Sequence, residues 1–247
     1  MLKPTTNIPQ LNTPCLFNGK VEGDPLSKVF VSGCHNSPET LASIASSQLP
    51  DGILDLSLVN GITTSITDDD AERTGSLDYS AAGMPNDVLY PPETRTYRAY
   101  YSGPLPTKVI LKTNIKYDNS LLQHFHNSHQ KTKDWINKIV GLAQTRLFHE
   151  SAKIKIAIKV GTVRHIGQSI KAESSIENLK GKRQTKLTSY FCKDHGGGPY
   201  AGIAYLGAAC MHDGHAVLIV EHYSRVNPDI MSAQTFAHEI GHIIGME

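Results

Sequence analysis

The sequence has no run of about 18 apolar residues, so no segment is long enough to cross a bilayer as a helix. It has no surplus of charge either. Its 24 basic and 23 acidic residues leave a net charge of +1, and no basic patch dominates. Nothing here provides the footprint of a nucleic-acid binder or of a protein drawn to anionic membrane. Cysteine is scarce: Cys15, Cys34, Cys192 and Cys210 are all there is. None lies in a CxxC, which argues against a zinc ribbon or a thioredoxin-type site. They fall into two pairs, one near each end, with members about twenty residues apart. Two local disulfides in an extracellular protein fit that pattern, and so do four separate thiols in a cytosolic one. The opening "MLKPTTNIPQLNTP" has a lysine but no apolar stretch behind it, so it is not a secretory signal peptide. Internal repeats are absent.

What is present is enough apolar material to fold. The 247 residues are 39% hydrophobic and 19% charged, sufficient for one large domain or two ordinary ones with a real core. Three regions differ in texture. Residues 1–66 hold short apolar runs between turn signals, such as "SKVFVSGC" and "GILDLSLVNG". Val29, Phe30 and Val31, then Ile53, Leu54, Leu56 and Leu58, read as strands of a meander. Residues 67–107 are polar, rich in Pro, Gly and Tyr, and without a sustained period, which reads as a linker of roughly forty residues. From Lys108 onward strands and helices alternate. "KVILKTNIKYD" suits a strand, and Leu121 to Leu147 carry the spacing of one long helix. Ile154, Ile156, Ile158 and Val160 alternate with lysines as in a half-buried strand. Residues 174–192 read as a weaker helix ending near Phe191. "AGIAYLGAAC" and "HAVLIVEHY" follow as strands, and "NPDIMSAQTFAHEIGHIIGM" as a last helix with Asp229 or Ser232 as cap. The order β-α-β-α-β-β-α is an α/β layering, with helices on a mixed sheet.

The last helix carries chemistry. His238, Glu239 and His242 form an HExxH. Histidines four apart lie on one helix face, one turn from each other, so both Nε2 atoms can converge on one ion. Neutral imidazole suits zinc, and a catalytic site keeps one position for water. Glu239, next to His238, can reach the metal-activated water as general base and later protonate the leaving amine. Phe236, Ala237, Ile240, Ile243 and Ile244 flank the motif, so the helix is largely buried, and its polar groups need partners. Gly245 falls three residues after His242. In the elongated motif HExxHxxGxxH that glycine ends the helix and turns the chain toward a third histidine. Here the third ligand is due at the position after Glu247.

With these residues in place, "TFAHEIGHIIGM" resembles the active-site helix of the metzincins, in particular the adamalysin or reprolysin family that includes ADAM and ADAMTS proteases. "GIAYLGAAC" is similar to that family's edge-strand motif. "CLFNGKVEGDPLSKVFVSGC" resembles the last part of its propeptide. The likeness covers residues 13–66 and 108–247. It implies a β-rich propeptide remnant over 1–66, a linker over 67–107, and a metzincin-like catalytic domain over 108–247, truncated after the zinc helix. It implies Zn2+ as cofactor, held by His238 and His242, with Glu239 as general base. Gly202, Ile203, Ala204, Tyr205, Leu206 and Gly207 become the strand that binds extended substrate by β-augmentation. Cys15 would pair with Cys34, and Cys192 is the local candidate partner for Cys210, or both are thiols. Proteins or peptides become the substrates, and an extracellular location is implied.

The match has gaps. The family's strand before the edge motif finds no room in "FCKDHGGGPYAGIAYLG", where His195 is a remnant of it or a loop histidine. Met246 lies too early for the methionine turn, and Lys182-Arg183 is no processing site. No Pro-x-x-Cys-Gly inhibitory segment occurs. Three readings follow: a zinc metalloendopeptidase, a catalytically inactive protease-like module that binds proteins, or a soluble α/β domain with a chance HExxH.

Overall fold

The computed structural model describes residues 3–4, 15–33, 39–49, 53–59, 62–66, 88–89, 107–147, 154–170, 172–179, 186–193, 201–211, 214–222 and 228–246. Short apolar runs broken by turns give the first sheet, as expected for a meander. Its strands are β1 (Lys3–Pro4), β2 (Leu16–Gly19), β3 (Lys28–Ser32), β4 (Glu39–Ala45), β5 (Ile53–Val59) and β6 (Ile62–Ile66). They lie in chain order, each antiparallel to the next. One detail inverts the sequence reading. In β5 the buried positions are Asp55 and Ser57, while Leu58 is exposed. The cause is a charge pair, because the Asp55 carboxylate meets the Arg146 guanidinium from a helix above it.

The second sheet has the order β7-β11-β12-β10-β8-β9, where β7 is Val88–Leu89, β8 Lys108–Tyr117, β9 Lys155–His165, β10 Leu187–Cys192, β11 Gly202–Tyr205 and β12 Val217–Glu221. β8 runs parallel to β9 and β10, and β10 parallel to β12. β11 turns back antiparallel on β12, which makes the sheet mixed. β7 comes from within the stretch whose composition reads as a linker.

Two elements differ from expectation. The long helix is two: α1 (Asn119–His124) and α2 (His129–Arg146). His126 and Asn127 take positive φ, 56° and 59°, which stops the first helix. Ser128 then caps the second by accepting from Lys131 N–H at 3.3 Å. The helix read over 174–192 is short, α3 (Ala172–Leu179), and "LTSYFC" is the central strand β10. All six residues of β10 are buried, so the sequence shows no alternation to betray a strand. A strand, Leu187–Cys192, therefore does precede Gly202–Tyr205 in the chain.

Strand alternation fixes the layers. Phe191 of β10 contacts Trp135 of α2 and Phe236 of α4 (Pro228–Ile243), with ring centroids 6.0 and 5.2 Å apart. Tyr190 points to the other face, where its hydroxyl donates to Leu179 O of α3 at 3.4 Å. So α2 and α4 cover one face and α3 the other. The outer side of α2 carries the first sheet. Phe30 of β3, 1% exposed, joins the same apolar core as Ile136, Ile139 and Leu142 of α2. Asp229, expected as a cap of α4, lies in its first turn and ties the two helices. It accepts from Trp135 Nε1 at 2.7 Å and pairs with Lys138 Nζ at 2.8 Å. Ser232 is buried inside the helix. Among the described residues, no helix is long and apolar enough to cross a membrane.

Candidate metal centre

Pro228 suits the first turn of α4, where its missing N–H costs nothing. Ile230, Ala233, Phe236, Ile240 and Ile243 then bury one stripe against the sheet and α2. That burial sets the helix rotation and so aims the other face. His238 and His242, one turn apart, present rings 4.3 Å apart between centroids and 85° between planes. Their Nε2 atoms are 2.8 Å apart. The two imidazole nitrogens are thus neighbours at hydrogen-bond distance, as side chains one turn apart on one helix face can be. His242 Nδ1 lies 2.9 Å from Met246 O. A carbonyl can only accept, so Nδ1 donates to it, and Nε2 faces His238 Nε2. A backbone carbonyl that fixes the tautomer of a histidine is a common support for metal ligation. His242 is buried, while His238 is exposed.

The helix end that supplies this carbonyl depends on Gly245. Its φ is +92°, in the left-handed region. Met246 N–H donates to Gly241 O at 2.9 Å and Gly245 N–H to His242 O at 2.9 Å, the paired bonds of a glycine-terminated helix. Gly245 therefore ends the helix as expected, and the turn it makes brings Met246 O back onto His242. Gly241 has no such duty. A Cβ there would sit 3.7 Å from Met246 Cβ and Sδ, an ordinary contact. Gly241→Ala should raise stability by about 1 kcal/mol, measured by urea denaturation, since glycine costs about that much inside a helix.

Glu239 is 1% exposed and packs against the edge strand. A Cβ on Gly202 would fall 2.5 Å from Glu239 Oε1, so only glycine lets β11 lie this close to the carboxylate. At the other end of the segment, Gly207 N–H donates to His242 O at 2.8 Å. Gly202 to Tyr205 form β11, and Leu206 and Gly207 the turn after it. The expected edge segment and the expected helix are thus brought side by side. Among the described residues, no set of three His, Cys, Asp or Glu side chains is placed to hold a metal ion. The donors present, two imidazoles with one oriented by a carbonyl, are of a kind that zinc takes.

The remaining candidates lie elsewhere. Cys15 is disulfide-bonded, and Cys34, the partner that the resemblance implies, lies outside the described residues. Cys192 is a buried thiol at the end of β10, its Sγ 3.7 Å from Val220 O. His195 and Lys182-Arg183 are outside the described residues.

One cluster escaped the sequence reading. His222, just after β12, lies between His124 and Trp135, with ring centroids 4.3 and 4.9 Å away. A lone histidine after an apolar strand offers no pattern to read. Burial, aided by the nearby His124 and Lys193, pushes the His222 imidazole down to about 4, against the opposing pull of Asp229. Its unfolded value is about 6.5. Because the folded value is the lower one, the unfolded chain binds the extra proton first. The stability from His222 is present above pH 6.5 and is lost as pH falls from there through about 4. Denaturation midpoints should fall over that window, and the His222→Phe protein should show a shallower fall.

Comparison with known proteins gives one family. Residues 161–247 match the model described as "Metallo-peptidase family M12B Reprolysin-like". This part of the chain, which contains β11 and α4, is therefore similar to a metallopeptidase family. No curated protein matches the chain. A solved structure titled "Structure of a chaperone-substrate complex" aligns with a TM-score of 0.42 and 15% identity, over 56% of this chain and 24% of that one. The chain thus spans about a quarter of the length of that structure.

Proposed function

We propose that this chain carries the zinc-binding helix and substrate edge of a metalloendopeptidase of the reprolysin type, similar to ADAM and ADAMTS proteases. The observation that carries it is the side-by-side placement of His238 and His242, Nε2 atoms 2.8 Å apart, with His242 oriented by Met246 O. In this reading His238 and His242 hold the metal. Zinc, when bound, supplies a Lewis acid for the scissile carbonyl and makes water a usable nucleophile near neutral pH. Glu239 takes the proton from the attacking water and returns it to the leaving amine. Its burial against Gly202 holds the carboxylate between helix and edge strand. Gly202 to Gly207 align an extended protein substrate. The first sheet serves as a propeptide-derived unit docked on α2, and the location is extracellular.

A second reading is a catalytically inactive protein-binding module. Zinc-dependent cleavage of casein separates the two readings. The protein with one histidine appended after Glu247 should cleave casein, and a chelator should stop it. Zinc-loaded protein that cleaves nothing supports the binding module.

A further inference from the structure

Strand register gathers four cations that lie far apart in the sequence. Lys112 and Lys116 belong to β8, and Lys159 and Arg164 to β9. The two strands pair in parallel, with Lys112 opposite Lys159 and Lys116 opposite Arg164. Paired residues project to the same side of a sheet, and successive residues to opposite sides. Leu111 and Ile115 are buried in the core with α2, so the four cations project from the other face. Lys112, Lys159 and Arg164 are exposed there. Lys116 is half-buried, and its Nζ donates to the Tyr190 hydroxyl at 3.0 Å. Lys108 opposite Lys155 repeats the pairing near the start of both strands. Among the described residues, no carboxylate forms an ion pair with any of the four.

Like charges directly opposite one another destabilise a sheet. Lysines on a terminal strand guard it against pairing with other chains, which accounts for those on β9. It does not account for β8, an interior strand with β10 on one side and β9 on the other. The net charge of the chain is only +1, so this face is a local excess. We propose that the β8–β9 face binds a linear sulfated polysaccharide, whose sulfates meet Lys112, Lys116, Lys159 and Arg164. The two rows of cations lie about 13 Å apart, four residues at about 3.3 Å each, so one extended chain reaches both. Between the rows the surface is polar, with the Thr162 hydroxyl donating to Asn114 Oδ1 at 3.3 Å. That interval suits a sugar backbone. A bilayer surface would need an apolar face to insert, and Ile110, 57% exposed, is the one large exposed apolar side chain of these two strands. Single-stranded nucleic acid needs exposed rings on which bases stack, and the ring on this face, Tyr190, is 3% exposed. The face is turned away from α4, so a bound polysaccharide leaves the helix that carries the HExxH uncovered.

The test titrates fluorescently labelled heparin with the whole chain and follows anisotropy over a series of salt concentrations. The Lys112→Gln/Lys159→Gln variant should bind about tenfold more weakly, or weaker still, since each cation near an anionic surface contributes substantially. Its log affinity should also fall less steeply with log salt, because fewer counterions are released. The Lys131→Gln/Lys133→Gln variant makes the same charge change on α2 and should bind as the unaltered chain does. Equal losses in the two variants, or no binding by the unaltered chain, overturns the proposal. Tighter binding to a single-stranded oligonucleotide or to phosphatidylserine vesicles than to heparin overturns it too. A check that needs no variant is the thermal midpoint of the unaltered chain. Heparin should raise it, because a ligand that binds the folded face stabilises the fold by mass action, and an unchanged midpoint counts against the site.

Discussion

Glu239→Gln should lower zinc-dependent peptide hydrolysis by about 10²–10⁴-fold and leave zinc content unchanged, the loss typical when a general base is removed. The measurement compares initial rates and elemental zinc in the two proteins, each with one histidine appended after Glu247. Glutamine keeps the shape of glutamate, so the contact with Gly202 survives. What it loses is basicity. Glu239 follows His238 directly, so on a helix its side chain leaves the axis in a different direction from the two histidines. A base placed this way can be neutralised without disturbing the metal. Loss of zinc in the variant would make Glu239 a ligand. An unchanged rate would remove it from the chemistry.

The second large effect is on stability. Phe30→Ala should cost about 3–5 kcal/mol, read as a fall in urea-denaturation free energy, as for other buried phenylalanines cut to alanine. Phe30 is 1% exposed and belongs to the apolar core shared by the first sheet and α2. Its ring fills the space left by a missing side chain. A Cβ on Gly141 would lie 2.1 Å from Phe30 Cε2. Gly141→Ala, a change that favours an isolated helix, should therefore destabilise the protein, because the aromatic ring would have to move. The opposite sign expected for Gly241→Ala comes from the same rule with nothing in the way. A Phe30→Ala cost below about 1 kcal/mol, the scale of an ordinary substitution, would show that the first sheet is not firmly docked on α2.

The legible parts of the sequence were those with a period. The meander came from short runs between turns, and β9 from alternation, with Ile156 and Val160 buried and Lys159 exposed. The HExxH spacing places His238 and His242 side by side on one helix face, and Gly245 marks the end of the helix. The illegible parts had physical reasons. β10 is covered on both faces, so its sequence lacks the alternation that marks a strand. The break between α1 and α2 rests on two non-glycine residues with positive φ, which composition does not announce. Asp55 faces inward because Arg146, 91 residues later, meets it. β7 has two residues in an unpatterned stretch, and only the pairing partner gives it a place.

The most direct test of the account is elemental analysis of metal after equilibrium dialysis against zinc. The measurement compares the protein bearing one histidine after Glu247 with its His238→Ala/His242→Ala variant. About one zinc per chain is expected in the first and essentially none in the second, with unchanged folding by circular dichroism. Equal zinc in both, or none in either, would contradict the claim that His238 and His242 form a metal centre.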